Sequence, residues 1–182
     1  TGKLFTTLSE GYTGWYAKGN SKTYAIDNIS IRAESIVGRT NVEVTEPFWF
    51  RDEFEEDSRG RYASSTTQIK YYPDDTTISV LGRNYIRPLP NDYLIGPWTV
   101  VYTPELLADG PELASLSLTI NTATEEGRNY NEPTAPLAVS ITGLSVRLHR
   151  YGDVVASNPG ITFRRGDKKT FTISYDGDQT IT

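Results

Sequence analysis

Leu137 to Leu148 reads Leu-Ala-Val-Ser-Ile-Thr-Gly-Leu-Ser-Val-Arg-Leu, and its large apolar residues change parity partway along. They occupy positions 137, 139 and 141, then 144, 146 and 148. Strict alternation is the signature of a half-buried strand, because successive side chains leave a strand on opposite faces. A change of parity inside one strand would turn its second half inside out. The change falls at Gly143, and glycine tolerates backbone angles that other residues avoid. The expectation is one strand over 137–150, with a β-bulge or bend at Gly143 that absorbs an extra residue.

The same period recurs along the chain. Ile29 and Ile31 share a face within Tyr24–Arg32, and Trp98, Val100 and Tyr102 alternate after Gly96-Pro97. Leu116, Leu118 and Ile120 do the same, as do Val42, Val44, Phe48 and Phe50, with Pro47 near an edge or bend. Residues 51–61 read as a charged loop and 121–136 as a long polar one. Pro73-Asp74-Asp75-Thr76 and Arg165-Gly166-Asp167-Lys168 are turn sequences, each flanked by strand-like segments, and predict two hairpins. Helical signals are confined to Pro104-Glu-Leu-Leu-Ala-Asp-Gly, with proline and acid at the start and glycine at the end, so one short helix is expected near 104–109. Residues 1–22 are rich in Gly, Thr and Ser and read as an irregular N-terminal arm, with 23–182 a single domain. The expected fold is all-β, an antiparallel β-sandwich of jelly-roll or immunoglobulin-like kind, with a β-barrel as the alternative.

Composition narrows the function classes. A chain of 182 residues buries roughly 70% of its unfolded surface and needs no staples. It has no cysteine, which removes disulfides, thiolate metal sites and thiol nucleophiles. The net charge of −5, with acids and bases interspersed, lacks the basic face that nucleic-acid binding requires. No apolar stretch reaches membrane-spanning length and no signal-peptide core is evident, so a soluble chain with no membrane partner is expected.

The candidate chemistries each have a plainer reading. Glu53, Glu55, Glu56 and Asp57 form the densest acidic cluster and could serve glycoside hydrolysis or a hard cation. Adjacent carboxylates in a loop lack the defined separation a glycosidase requires, and a solvated loop balanced by Arg51, Arg59 and Arg61 is the better explanation. His149 is the only histidine and falls in phase with Ser145 and Arg147, which predicts an exposed position; no nucleophile-elbow pattern accompanies it. Asp176 and Asp178 could join Asp153 or Asp167 around calcium, but the spacing is not that of an EF-hand. No catalytic residue, metal ligand or cofactor is therefore assigned. Arg165-Gly166-Asp167 resembles the tripeptide that integrin ligands display at hairpin tips, and it is also ordinary polar turn chemistry. Asn28-Ile29-Ser30 is a glycosylation sequon.

The aromatics suggest binding. Trp15, Tyr16, Trp49, Trp98 and the tyrosines could stack on sugar rings. Tyr24–Ile31 resembles the Asp-Asn-Ile-Ser-type strand of jelly-roll sugar-binding modules, in which it lies near the C-terminus and not near the start. Trp15 and Tyr16, within a Gly-rich arm, read as anchors that dock into a neighbour. Taken whole, a cysteine-free, Thr/Ser/Tyr-rich β-chain with an arm and a long loop resembles virion components such as bacteriophage tail, baseplate or head-decoration subunits. The expected role is a non-enzymatic assembling module whose partners are copies of itself or neighbouring virion proteins. Trp15, Tyr16, Asn129, Tyr130, Arg165 and Asp167 are its contact candidates. The alternative is a carbohydrate-binding or adhesion module that holds a surface glycan through exposed Tyr and Trp.

Overall fold

The computed structural model describes residues 2–3, 12–18, 23–37, 50–64, 69–81, 84–89, 93–107, 115–122, 136–142, 144–176 and 180–181. Among them, strands β1 (Gly2–Lys3), β2 (Tyr12–Lys18), β3 (Thr23–Val37), β4 (Phe50–Asp52) and β5 (Tyr62–Ser64) come first. Next are β6 (Lys70–Tyr72), β7 (Thr77–Leu81), β8 (Asn84–Pro88), β9 (Tyr93–Leu106) and β10 (Ser115–Thr122). The last five are β11 (Leu137–Thr142), β12 (Val146–Arg150), β13 (Asp153–Asn158), β14 (Phe171–Tyr175) and β15 (Thr180–Ile181). The first sheet has the order β1-β15-β14-β9-β3-β7-β6, with β4 also pairing β3, and the second has the order β13-β12-β11-β10-β2-β8-β5. All pairings are antiparallel, and the sheets pack face to face as a sandwich.

The core lies where the inward positions of the two sheets meet. Ile26, Ile29 and Ile31 of β3 and Trp98, Val100 and Tyr102 of β9 face Trp15 of β2, Leu116, Leu118 and Ile120 of β10, and the odd positions of β11. The Trp15 and Tyr102 rings meet edge to face across the layers, with centroids 5.5 Å apart. Gly14 lets β2 approach β8 closely: a Cβ there would fall on the Ile86 carbonyl oxygen and 2.8 Å from Arg87 Cβ.

Several expectations change. The parity switch marks a hairpin and not a bulged strand: β11 and β12 pair, with Val139 opposite Leu148 and Ile141 opposite Val146. An even number of residues between paired strands exchanges odd for even positions while keeping one face, which the alternation alone does not distinguish from a bulge. Residues 12–18, placed in an irregular arm, form an interior strand of the second sheet. Pro104-Glu-Leu forms no helix; it finishes β9, with Ile26 opposite Pro104 and Tyr24 opposite Leu106. Tertiary pairing overrides the local helix signal there, and Leu106 is buried. The only helical element among the described residues is a 3-10 turn at Arg59–Arg61. The hairpin around Pro73–Thr76 is present as β6 and β7. The turn at Arg165–Gly166 is present too, but 161–164 is not a strand and β14 pairs with β9. Of the alternating set Val42, Val44, Phe48 and Phe50, only Phe50 lies within the described residues.

Candidate functional site

Three surface features carry chemistry. The first follows β4, where Phe50 and Asp52 turn inward and Arg51 outward. Asp52 is buried and accepts hydrogen bonds from the Phe54 amide at 3.0 Å and the Tyr62 hydroxyl at 2.8 Å, with Arg61 Nη1 3.6 Å away. Burial, followed by the Asp52 charge, pushes the Tyr62 hydroxyl well above its ordinary pKa. Phe54 has a positive φ of 56° and stacks its ring on Tyr62, and its carbonyl accepts a bond from the Tyr71 hydroxyl. These contacts hold the next residues in one shape. Glu53 pairs with Arg51, and Asp57 with Arg59 at 2.6 Å. The hydrogen bond from Arg59 holds the Asp57 carboxyl below the usual carboxylate range.

Glu55 and Glu56 remain exposed at the rim of a cavity of about 460 Å³, which Arg51, Glu53, Ser58 and Arg61 also line. Ser58 is buried, and its hydroxyl has no hydrogen-bond partner among the described residues. A second recess of about 320 Å³ shares Arg51 and Glu53 and extends to Asn28, Ser30 and Arg32 at a bulge in β3. Asn28, the sequon asparagine, is exposed there with a φ of 52°. No group of three or more His, Asp or Glu among the described residues is arranged to hold a metal ion.

The second feature is the turn at 164–169. The Arg164 amide donates to Asp167 Oδ2 at 2.8 Å, and the Asp167 amide donates back to the Arg164 carbonyl at 3.0 Å. Gly166 takes a φ of 83° and donates its amide to the Leu106 carbonyl, which fixes the turn to the end of β9. Lys168 reaches Glu105 at 3.4 Å, and Lys169 lies over the Phe163 ring. The Asp167 carboxylate is thus turned back onto its own backbone, while Arg164, Arg165, Lys168 and Lys169 are exposed.

The third feature is the outer hairpin of the second sheet, β12–β13. His149 is 1% exposed, correcting the expected exposed position. Its Nε2 lies 2.8 Å from Ser140 Oγ, and burial lowers its pKa. It is in phase with Ala138, which is also buried, because both faces of β10 and β11 are covered. Beyond it β13 is exposed along nearly its whole length, with Val154 at 51% and Val155 at 47%. Sequence reading passed over this strand: Asp153-Val-Val-Ala-Ser-Asn does not alternate, because the register shifts opposite Leu148 and His149. Two adjacent valines in a polar stretch were the available signal.

The contact candidates are scattered. Trp15 is fully buried in the core and anchors nothing outside it; as an indole in an inner strand it faces the opposite sheet. Tyr16 points to the other face of β2, half-buried, between Ser117 and Tyr85. Arg165 and Asp167 share the 164–169 turn, and Asn129 and Tyr130 lie outside the described residues. Trp98, Tyr24, Tyr62, Tyr102 and Tyr175 are buried as well. No family model matches this sequence, and comparison with curated proteins and with solved structures finds no match.

Proposed function

We propose that this chain is a non-enzymatic structural module that joins neighbouring subunits through the free edge of its second sheet. One observation carries the reading. Among the described residues, five large apolar side chains are exposed; three of them (Tyr151, Val154 and Val155) fall on the outer hairpin, and Leu144 stands in the turn that leads into it. Its last strand, β13, pairs with β12 on one side and with no other described strand on the other. Unpaired backbone amides beside apolar side chains are what an added strand recognises, and natural sheets usually blunt such edges with charge or proline. Here Asp153 and Pro159 stand only at the two ends. The irregularity opposite Leu148 and His149 limits the added strand to a few residues, which favours a closed contact over open-ended stacking.

The carboxylates of the 51–61 loop support a non-catalytic reading, since Asp52, Glu53 and Asp57 are engaged by the chain's own arginines. The assembly we assign it to is a virion, such as a bacteriophage tail, baseplate or head; that part rests on the composition and style of the chain. Light scattering across a concentration series tests the reading. The expected result is a mass that rises with concentration and falls back to one chain in Val154→Lys/Val155→Lys. A wild-type chain that stays monomeric throughout overturns it.

A further inference from the structure

Pairing with β12 fixes which way each residue of β13 faces, because side chains directly opposite each other on paired strands share a face. Asn158, Ala156 and Asp153 stand opposite Val146, Leu148 and Arg150, and Val146 and Leu148 pack against the core. Those three residues of β13 therefore lie on the inward face. Ser157 and Val154, opposite Arg147 and His149, lie on the outward one. Val155 has no opposite residue: it is the extra one that the irregularity between Leu148 and His149 inserts. It is 47% exposed where the inward Ala156 is half-buried, so it turns outward with Val154. From Asp153 to Ala156 the strand thus reads inward, outward, outward, inward.

That pattern is its own complement when reversed. Laid antiparallel against a second copy, it matches face for face with Asp153 opposite Ala156 and Val154 opposite Val155 of the other chain. The four valines then cover one another on the outward face, and removing apolar surface from water favours the contact. Shifting the register by one or two residues sets outward side chains against inward ones. Charge selects the same arrangement. Asp153 is the only charged residue of the strand. A parallel, in-register neighbour would stack two aspartates about 4.8 Å apart, and like charges directly opposite are destabilising. The antiparallel register separates them by about 10 Å along the strand. It also sets each Asp153 diagonal to Asn158 of the other copy, whose side-chain oxygen accepts the Gly160 amide and whose NH2 group is a donor.

We infer that the occupant of this edge is β13 of a second copy, paired antiparallel about a two-fold axis with Val154 of each chain opposite Val155 of the other. This rests on the edge-strand reading and adds the partner and its register. Such a contact uses the same surface on both chains and closes at two.

Engineered disulfides test it cleanly in a chain that has no cysteine of its own. Asp153→Cys and Ala156→Cys are oxidised separately and as an equimolar mixture, then run on a non-reducing gel. The mixture should give a disulfide-linked dimer, because residues directly opposite lie about 4.5–5.5 Å apart, within disulfide reach. Either variant alone should give none, since each position lies about 11 Å from its own counterpart, beyond the limit of about 7 Å. Adding Val154→Lys/Val155→Lys to both should abolish the link, and the wild-type mass in light scattering should level off at two chains. A mixture no better linked than either variant alone overturns the inference, as does a mass that climbs past two chains. If association is still lost in Val154→Lys/Val155→Lys, the edge-strand reading stands with a different partner. A wild type that stays monomeric overturns both.

Discussion

Replacing Trp15 by alanine separates a core residue from an arm anchor. Trp15 is 0% exposed, sits on an interior strand, and packs edge to face on Tyr102 of the opposite sheet. Removing a buried tryptophan side chain costs about 3–5 kcal/mol in lost transfer energy and cavity formation. The aromatic pair adds about 1 kcal/mol. The indole N–H has no hydrogen-bond partner among the described residues, so deleting it returns about 1 kcal/mol of desolvation cost. The net loss is therefore about 3–5 kcal/mol, a large part of the stability of any domain this size. In urea unfolding followed by far-ultraviolet circular dichroism, the midpoint should fall by about 1–2 M, given a slope of about 2–3 kcal/mol/M. Trp15→Phe, which keeps a ring against Tyr102, should lose less than half as much. A midpoint for Trp15→Ala within about 0.3 M of wild type would refute the placement, because only a side chain outside the core can be removed so cheaply.

Three further outcomes follow from the same geometry. Gly14→Ala pushes a methyl into the Ile86 carbonyl and Arg87, so it should cost about 2–4 kcal/mol by separating β2 from β8; a neutral thermal melt would contradict that close approach. Asp52→Ala strands the buried Tyr62 hydroxyl and the Phe54 amide and should cost about 2–4 kcal/mol, whereas Tyr62→Phe, which removes its donor cleanly, should cost about 1 kcal/mol; equal losses would contradict the network. His149 is the only histidine and burial lowers its pKa, so the unfolded chain takes up the proton first. Its stabilising contribution should be complete above about pH 6.5 and be lost as pH falls, with a slope of up to about 1.4 kcal/mol per pH unit until the folded state also titrates. His149→Gln should flatten that slope in denaturation curves taken from pH 7.5 to 5, and an unchanged slope would assign the effect elsewhere.

The strands that alternate over a well-defined inward face were legible. Leu116, Leu118 and Ile120, or Trp98, Val100 and Tyr102, announce themselves because one parity is large and apolar and the other is Ser, Thr or Val. Where both faces are covered, parity stops reporting burial: Ala138, Ser140 and His149 are as hidden as Leu137 and Val139, and nothing in their chemistry says so. Trp15 was misread for a related reason. Its neighbours are glycine and threonine because β2 must pass close to β8, and that composition also describes a loose arm. Pro104–Leu106 shows the converse, a local helix signal overruled by pairing with β3. The acidic loop was visible as a cluster of charges, but the burial of Ser58 was not, because a polar residue among charges gives no local sign of it. The edge strand was missed because a bulge breaks its alternation.

Amide hydrogen exchange resolved along Asp153–Asn158, recorded from dilute to concentrated protein, tests the central claim most directly. Amides on the outer edge of β13 exchange freely in an isolated subunit and slowly once a neighbouring strand accepts their hydrogen bonds. The account predicts that protection of these amides rises with concentration, in step with mass, and stays absent in Val154→Lys/Val155→Lys. Outer-edge amides of β13 that exchange at one fast rate at every concentration, while the protein assembles, would contradict it.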